Sequence, residues 1–291
     1  MGIGEDLPEL QISEKRIIEE EKEKPADWLP VGTDNQYVQR DREWPTLEKR
    51  LGQPRILNNV YFPEVLDWIN KKYGSNSDDF SYFEAGCGHG NDLRAIRNKL
   101  KGKGLFLGVD MSEAEINRGL DFYKQQETLQ EGRKLFAQGD LRDLSKVNIW
   151  SDENGDFSKS VEIKNGEFDL VYFEAVLHGL GYGGKTYQEK KELAQRMFNE
   201  LFRICKVGGK IFGRANAFTP DLTQEQRFEF LRKINEWHFS PDPNELKDML
   251  KKAGFENIKT DIKPHEKSEE DAKRKDFLKV SFLAEKQIEK K

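Results

Sequence analysis

The sequence predicts an α/β fold in which helices cover both faces of a mostly parallel sheet. Short apolar segments that suit strands alternate with longer amphipathic segments that suit helices, from Phe80 to near the end of the chain. Residues 168–175 form a largely apolar run, which is typical of a strand buried on both faces. The alternation predicts parallel pairing, because each helix returns the chain to the edge of the sheet where the previous strand began.

Each predicted element is bounded by a turn, a cap or a change in the apolar period. Ser112 and Glu115 form a capping-box pattern at the start of the second helix, and Gly254 ends the last helix. Strands are predicted at residues 80–85, 104–110, 134–138, 168–175, 210–215, 256–262 and 277–284. Helices are predicted at residues 91–100, 112–126, 188–205 and 243–253.

The segment before this alternating pattern has a different character. Residues 1–24 are mostly charged, which predicts a solvated helix or a disordered arm. Residues 25–75 form an N-terminal extension that ends in an amphipathic helix at 56–73, interrupted near Pro63. The extension either covers a flank of the sheet or forms a helical cap or lid over a site. Its aromatic side chains are Trp28, Tyr37 and Trp44.

The alternating segments are expected to form one domain at residues 76–291. Residues 145–167 separate the third and fourth predicted strands, and they contain a turn signal between two short strand-like pieces. We therefore expect a hairpin insertion at this point of the domain.

Composition narrows the class of protein. The net charge is −5, with 48 Lys and Arg against 53 Asp and Glu, which argues mildly against nucleic acid as an obligatory partner. Cys87 and Cys205 lack a CxxC partner or metal-ligand spacing, so neither a disulfide framework nor a metal site is expected. No apolar run is long enough to span a bilayer. These features predict a cytoplasmic protein without membrane association, and they do not predict its oligomeric state.

The segment from Glu84 to Gly90 carries the strongest functional signal. Its sequence, Glu-Ala-Gly-Cys-Gly-His-Gly, takes the chain from a strand through a glycine turn into a helix, where backbone N–H groups can approach a ligand closely. The spacing departs from the GxGxxG pattern of NAD-binding folds. Asp110 ends the next strand about 20 residues later. Such an acid either accepts the ribose hydroxyls of an adenosine cofactor or only starts the following helix.

Later segments add specificity to this signal: Gln138-Gly139-Asp140-Leu141, Phe168-Asp169-Leu170-Val171, Lys206-Val207-Gly208-Gly209 and Ala253-Gly254-Phe255. In this order and spacing, the chain from about Phe80 to Ala284 resembles the class I methyltransferases that depend on S-adenosylmethionine (SAM). The resemblance implies a Rossmann-like sheet of seven strands whose last strand is antiparallel. It also implies an enzyme that uses SAM as cofactor and yields S-adenosyl-L-homocysteine (SAH).

The resemblance further implies a role for each matching position. Asp110 would hold the ribose, and Met111 would pack on the adenine. Asp140 would accept a hydrogen bond from the adenine amino group, with Leu141 beside it. The methionine part of SAM would lie against Glu84, Gly86, Cys87, Gly88, Gly90 and Glu174.

Acceptor-side residues are predicted at the carboxyl ends of the strands, where ligands bind in open α/β sheets. His178 is the leading candidate for a general base because its pKa lies near neutrality, with His238 and Glu174 as further catalytic candidates. His178 could instead cap the following loop, and Arg214 could form an ordinary ion pair instead of binding an anionic acceptor. The candidate substrate residues are Tyr37, Trp44, Tyr182, Arg214, Asn216 and Trp237.

Three functions are consistent with the sequence. The net negative charge and the aromatic extension favour a methyltransferase that acts on a small molecule. The segment Cys87–Leu93 is also similar to the motif of mRNA cap guanine-N7 methyltransferases, so RNA is the alternative acceptor. A SAM-binding partner subunit without activity is the third hypothesis.

Overall fold

A nine-stranded mixed sheet forms the centre of the structure, a computed structural model. The structure describes residues 54–74, 79–100, 104–125, 136–151, 156–180, 184–234, 239–264 and 277–287, all within one compact unit, Glu48–Lys291. The strands are β1 (Ser81–Ala85), β2 (Leu105–Asp110), β3 (Phe136–Gln138), β4 (Val147–Ser151), β5 (Asp156–Val161), β6 (Phe168–Glu174), β7 (Cys205–Phe218), β8 (Glu256–Pro264) and β9 (Phe277–Glu285). The helices are α1 (Phe62–Tyr73), α2 (Asn91–Leu100), α3 (Glu113–Gln125), α4 (Leu177–Leu180), α5 (Tyr187–Ile204), α6 (Gln224–Ile234) and α7 (Pro243–Ala253).

The strand order is β5-β4-β3-β2-β1-β6-β7-β9-β8. Strands β3, β2, β1, β6 and β7 pair in parallel, and β9 is antiparallel to both of its neighbours. The α/β fold and the antiparallel last strand are therefore as predicted. The expected count of seven was too low, because β4 and β5 pair antiparallel with each other and extend the sheet from the edge of β3. Both lie in the segment that predicted a hairpin.

Two layers of apolar side chains cover the two faces of the sheet. One layer joins α5 and α7 to strand residues such as Phe83 and Phe173. The other joins α1, α2 and α3 to Tyr82, Tyr172 and Phe212. Since alternate residues of a strand point to opposite faces, odd positions face the first layer and even positions face the second within residues 82–85 of β1, 170–174 of β6 and 211–217 of β7. This places Glu84, Glu174 and Arg214 on the same face of the sheet.

Local signals explain where several helices begin and end. The predicted interruption near Pro63 is a 3-10 turn at Ile56–Asn58, after which α1 begins with Pro63 in its first turn, where a missing N–H costs nothing. Asp242 and Glu245 form a capping box at the start of α7. Gly254 ends α7 with a left-handed φ of 109°. No helix in the described part of the chain is both long and apolar enough to cross a membrane.

Three elements differ from the sequence prediction. Strand β7 extends to Phe218 because β9 pairs with it along nine consecutive residues, a long-range contact that no local pattern reveals. Helices α4 and α6 were not predicted.

The aromatic residues Tyr37 and Trp44 and the charged arm at 1–24 lie outside the described residues.

Candidate active site

The turn between β1 and α2 holds three glycines with left-handed φ angles, at Gly86, Gly88 and Gly90. The N–H of Gly86 donates to the carbonyl of Val109 at 2.7 Å, which fixes the turn against β2. A Cβ at Gly86 would lie 2.4 Å from the side chain of Val176, so this position has no room for one. At Gly88 the nearest atom to such a Cβ would be 3.8 Å away, on Glu115. The turn is therefore tightly packed at its start and open at its centre.

The carboxylate of Asp110 lies beside this opening. It accepts hydrogen bonds from the N–H of Gly88 at 2.8 Å and from the N–H of Ser112 at 2.9 Å. Burial raises the pKa of Asp110 to about 6, although both hydrogen bonds favour the charged form. Asp110 thus connects the glycine turn to the start of α3, and its environment disfavours an uncompensated charge.

His89, between the second and third glycines, is held at both ring nitrogens. Nδ1 lies 2.9 Å from a carboxylate oxygen of Glu115, and Nε2 lies 3.1 Å from the side-chain amide of Asn91. A Cβ on Gly119 of α3 would come within 2.6 Å of the His89 carbonyl oxygen, so α3 packs directly on this part of the turn. These contacts give His89 a structural role in the turn.

Strands β1 and β6 end in the same tetrapeptide, Tyr-Phe-Glu-Ala, at residues 82–85 and 172–175. The two copies are offset in the sheet, so that Glu84 lies beside Tyr172 and Glu174 lies beside Arg214. The Tyr172 hydroxyl donates to Glu174 Oε2 at 2.7 Å, while the Arg214 guanidinium donates to Glu174 Oε1. Both oxygens of Glu174 are therefore already engaged.

The residue after Glu174 marks the end of β6 with an unusual backbone. Ala175 has a φ of 55°, a left-handed conformation that costs a residue with a side chain free energy. Its N–H donates to the carbonyl of Arg214 at 3.0 Å. Strain of this kind persists where the surrounding structure enforces it, and it is concentrated at binding and catalytic sites.

Asp92, the second residue of α2, joins the site to the segment before α1. Its side chain is buried and accepts the N–H of Ile56 at 2.7 Å. Burial raises the pKa of Asp92 to about 6, and the hydrogen bond from Ile56 opposes that increase. Asn59, also buried, donates from its side chain to the carbonyl of Gly213 at 3.0 Å. The turn before α1 is thereby held against β7 and the first turn of α2.

The site has more buried negative charge than positive charge. Among the described residues, no Lys, Arg or His forms an ion pair with Glu84, Asp92 or Asp110. Burial, together with the charge of Asp92, raises the pKa of Glu84 well above its usual range. An open glycine turn beside uncompensated carboxylates fits SAM, whose sulfonium and amino groups are cationic and whose ribose hydroxyls can donate to Asp110.

The remaining predicted residues follow β2 and β3, belong to β7, or lie wholly or in part outside the described residues. Met111 is partly buried beside Asp110, and Leu141 is buried in the core. Asp140 is bound by the guanidinium of Arg142 through both carboxylate oxygens at 2.7–2.9 Å. Asn216 is partly buried two residues after Arg214 on β7. Tyr182, Trp237 and His238 lie outside the described residues, as does the side chain of His178, whose backbone belongs to α4.

Sequence reasoning gave no site role to four residues that the structure adds to this region: Tyr82, Asp92, Arg142 and Tyr172. The repeated Tyr-Phe-Glu-Ala was an available signal for two of them, because each copy places a hydroxyl two residues before a carboxylate on the same strand face. Asp92 follows the last glycine closely, but its burial depends on the distant Ile56. No sequence pattern around Arg142 indicates that its side chain binds a site residue.

The family profile described as "Methyltransferase domain" matches residues 57–260. The comparison with curated proteins gives no match. Among solved structures, phosphoethanolamine N-methyltransferase 2 of Haemonchus contortus with bound S-adenosyl-L-methionine has a TM-score of 0.53 at 14% identity, covering 89% of this chain and 62% of that chain. Geranyl diphosphate C-methyltransferase of Streptomyces coelicolor, with bound S-adenosyl-L-homocysteine, has a TM-score of 0.53 at 12% identity, covering 81% and 86%.

An arsenic(III) S-adenosylmethionine methyltransferase of Chlamydomonas reinhardtii has a TM-score of 0.51 at 17% identity, covering 73% of this chain and 65% of that chain. Structural similarity at these identities shows a shared fold. The chain spans 60–62% of the length of the two Haemonchus contortus structures it matches.

Proposed function

The chain belongs to the family of SAM-dependent methyltransferases, and from this we propose that it transfers the methyl group of SAM to an N, O or C nucleophile of a small molecule. The observation that carries this proposal is the position of Asp110. Its carboxylate is bonded to the glycine turn beside Gly88, the glycine of that turn with most space around it, and it belongs to a group of buried or partly buried acids that form no ion pair with a described cation.

A small acceptor is supported by charge and by the relatives. The net charge of −5 is a poor match for a polyanionic acceptor such as RNA. The structural relatives are named for phosphoethanolamine, geranyl diphosphate and arsenic(III), which are all small. No contact in the described residues specifically favours RNA.

When SAM is bound, it supplies a methyl group on a sulfonium, which is already an activated leaving group. The chain's task is then to hold that group in line with a nucleophile and to exclude water. We assign Asp110 to the ribose hydroxyls and Glu84 to the cationic methionine end. Asp140 is assigned to the adenine amino group, and it would share its carboxylate with Arg142.

Glu174 is better suited to positioning than to proton transfer. Its carboxylate already accepts three hydrogen bonds, one from Tyr172 and two from Arg214, which leaves about one lone pair and fixes the direction of the group. The Tyr172, Glu174 and Arg214 side chains would therefore fix the shape of the pocket at the end of β6. His178 and His238 remain the proposed bases for an acceptor that must lose a proton, and we propose the N-terminal extension with Tyr37 and Trp44 as a cover for the acceptor.

The first test is calorimetric binding of SAM and SAH to the wild type and to Asp110→Ala. We expect the substitution to weaken both ligands by about 1–3 kcal/mol, the usual cost of leaving buried polar groups unpaired. Asp67→Ala is the matched control, because Asp67 is exposed on α1. Absence of binding to the wild type would contradict the cofactor assignment.

The second test is methyl transfer from labelled SAM to pooled small amines, alcohols, carboxylates and thiols, with capped RNA as a parallel acceptor. Transfer to a small-molecule pool supports the proposal. Transfer to RNA alone would contradict the small-molecule assignment while leaving the cofactor assignment intact.

A further inference from the structure

Three carboxylates, Glu84, Asp92 and Asp110, lie around the glycine turn on three different elements, and we refer to them as the carboxylate trio. Glu84 is 4% exposed and Asp92 is 8% exposed. Asp110 is partly buried. Carboxylates removed from water to this extent are normally paired with a cation. Within the described part of the chain, the hydrogen-bond donors to Asp92 and Asp110 are backbone N–H groups. Glu84 receives only a long contact from the Tyr82 hydroxyl, at 3.4 Å, and a backbone N–H of Leu93.

The described cations close to the site form no ion pair with the trio. Arg214 is bonded to Glu174. Arg55 attracts Asp92, but its side chain is exposed and its effect is screened by water. Among the described residues, the titratable groups whose charges act on the trio are Tyr82 on β1, Cys87 in the turn, Glu115 on α3, Tyr172 and Glu174 on β6 and Arg55 before α1.

We propose that the carboxylate trio selects the cofactor by the charge on its sulfur, so that SAM binding expels protons from the trio and SAH binding does not. The inference rests on the proposed function, since it concerns the same cofactor site. It identifies Glu84 as the principal residue for this selection, because Glu84 is the most buried member and has the weakest hydrogen bonds in the described structure.

The physical reason is the balance of charge in a water-poor site. Without a cation, the trio retains protons at a pH at which free carboxylates are ionised, since two of its members have a pKa of about 6. The sulfonium of SAM favours the ionised form and displaces those protons. SAH carries the same amino and carboxylate groups, but its sulfur is a neutral thioether. SAM affinity should therefore rise with pH between about 5 and 7, and SAH affinity should change much less.

The same balance links methyl transfer to product release. As the methyl group moves, the bond between carbon and sulfur breaks, its electron pair stays on sulfur, and the acceptor's lone pair forms the new bond. The positive charge leaves the sulfur with the methyl group, and the acceptor then sheds a proton if it carries one. The trio is left without a counter-charge until it takes up protons or a new SAM replaces SAH, which favours exchange of SAH for SAM at neutral pH.

The test is isothermal titration of the wild type with SAM and with SAH, from pH 5 to 8, in pairs of buffers with different ionisation enthalpies. We expect release of about one proton per SAM near pH 6, half from Asp92 and half from Asp110, and close to none per SAH. Equal proton release and parallel pH profiles for the two ligands would overturn the inference while leaving the proposed function intact. Failure of both ligands to bind would overturn both.

Two isosteric variants identify the residues responsible. Glu84→Gln should weaken SAM about tenfold and SAH less than about threefold, and it should reduce the proton release. Asp92→Asn, whose amide oxygen can still accept the Ile56 N–H, should act in the same direction. Asp67→Asn removes one negative charge from an exposed position and should leave both affinities unchanged. An unchanged ratio of SAM to SAH affinity in Glu84→Gln would contradict the assignment to Glu84, and its folding can be checked by the SAH binding itself.

Discussion

Gly86 and Gly88 share a left-handed backbone conformation but differ in the space around them. Substituting each of them by alanine therefore distinguishes the cost of backbone strain from the cost of a steric clash. We expect Gly88→Ala to destabilise the ligand-free protein by about 1–2 kcal/mol, the cost of a left-handed conformation for an L-residue. Gly86→Ala should cost about 1–3 kcal/mol more, because its methyl group would overlap Val176. Urea unfolding measures both values. Equal losses of stability in the two variants would show that Val176 moves aside without cost.

For cofactor binding we expect the opposite order: Gly88→Ala should weaken SAM binding more than Gly86→Ala does. The space at Gly88 opens beside Asp110, so an added methyl group there would occupy room that the ligand needs. SAM binding to folded Gly88→Ala should therefore be weakened about tenfold or more, as expected for an overpacked contact. Calorimetry on that variant checks this, and binding equal to the wild type would place the cofactor elsewhere.

Residues fixed by local backbone chemistry were predictable from the sequence, whereas side-chain pairs were not. The glycine turn and Asp110 are defined by short-range spacing, and the structure places them together. The pairs Glu174 with Arg214 and Asp140 with Arg142 depend on strand register and rotamers. Arg214 is 40 residues from Glu174, so no local pattern distinguishes this ion pair from a substrate-binding arginine.

At the level of elements, the amino end of β6 is held by one buried carboxylate with several partners. Asp169 is 1% exposed and accepts hydrogen bonds from Lys72, Lys206 and both the N–H and hydroxyl of Ser81. These contacts connect α1, β1, β6 and β7. Burial alone would raise the pKa of Asp169, but the bonds from Lys206, Tyr73, Ser81 and Lys72 together lower it.

Asp169→Ala should destabilise the protein by about 2–4 kcal/mol. Removal of one partner from a buried ion pair usually costs 3–5 kcal/mol, and the loss is smaller here because both lysines are about one-third exposed and can turn to water. Equilibrium unfolding in urea provides the measurement. Asp67→Ala, which breaks an exposed pair on α1, is the control and should change stability by less than about 0.5 kcal/mol. Equal effects of the two variants would contradict a structural role for Asp169.

Helix α6 shows why some elements escaped prediction. Its sequence is mostly polar, so the apolar period is weak, and its position depends on Arg227. This buried guanidinium pairs with Asp242 and Glu245 at the start of α7, both at 2.8 Å. A helix stabilised by ion pairs with a later segment gives no local signal, in contrast to α2 and α5, whose apolar faces were predicted correctly.

Arg227→Met should loosen α6 while the rest of the fold persists. The substitution keeps most of the side-chain volume but leaves Asp242 and Glu245 without their shared cation, a local loss of about 2–4 kcal/mol. Amide hydrogen exchange in α6 should accelerate roughly 30-fold to 1,000-fold, since each 1.4 kcal/mol is a factor of 10. Amides of α2 are the internal control and should be unaffected. Uniform acceleration across the sheet would show that Arg227 supports global stability instead.

For the whole molecule, the two ends of the parallel strands differ in charge balance. At the amino end, Asp169 has lysine partners and its pKa is lowered. At the carboxyl end, the pKa values of Glu84, Asp92 and Asp110 are raised, and the described structure provides no paired cation. The first arrangement stabilises the fold, and the second costs stability that a cationic ligand can restore. This difference in charge balance between the two ends follows from three-dimensional packing. The sequence therefore predicted the fold but not the difference, which we call the charge polarity of the sheet.

The charge polarity of the sheet predicts how the stability of the ligand-free protein depends on pH. Asp92 and Asp110 have a folded pKa of about 6 against an unfolded value near 4, so the folded state binds more protons over this range. Asp92 and Asp110 therefore stabilise the folded state fully below about pH 4, and this contribution is lost as pH rises through about 6. Asp169 has the opposite sign, and its contribution is lost as pH falls below about 4.

Asp92→Asn should therefore raise the melting temperature of the ligand-free protein at pH 8 and have little effect at pH 5. The amide stays neutral at both values, so the variant avoids the cost of burying a charge that the wild type incurs only at the higher pH. Scanning calorimetry at the two pH values measures this, with Asp67→Asn as a control for net charge. Saturating SAM should narrow the difference at pH 8, because the cationic ligand stabilises the wild-type carboxylate more than the neutral amide. A variant that is less stable than the wild type at pH 8 would show that the Asp92 carboxylate is a stabilising group and that the carboxyl end of the sheet is already balanced without a ligand.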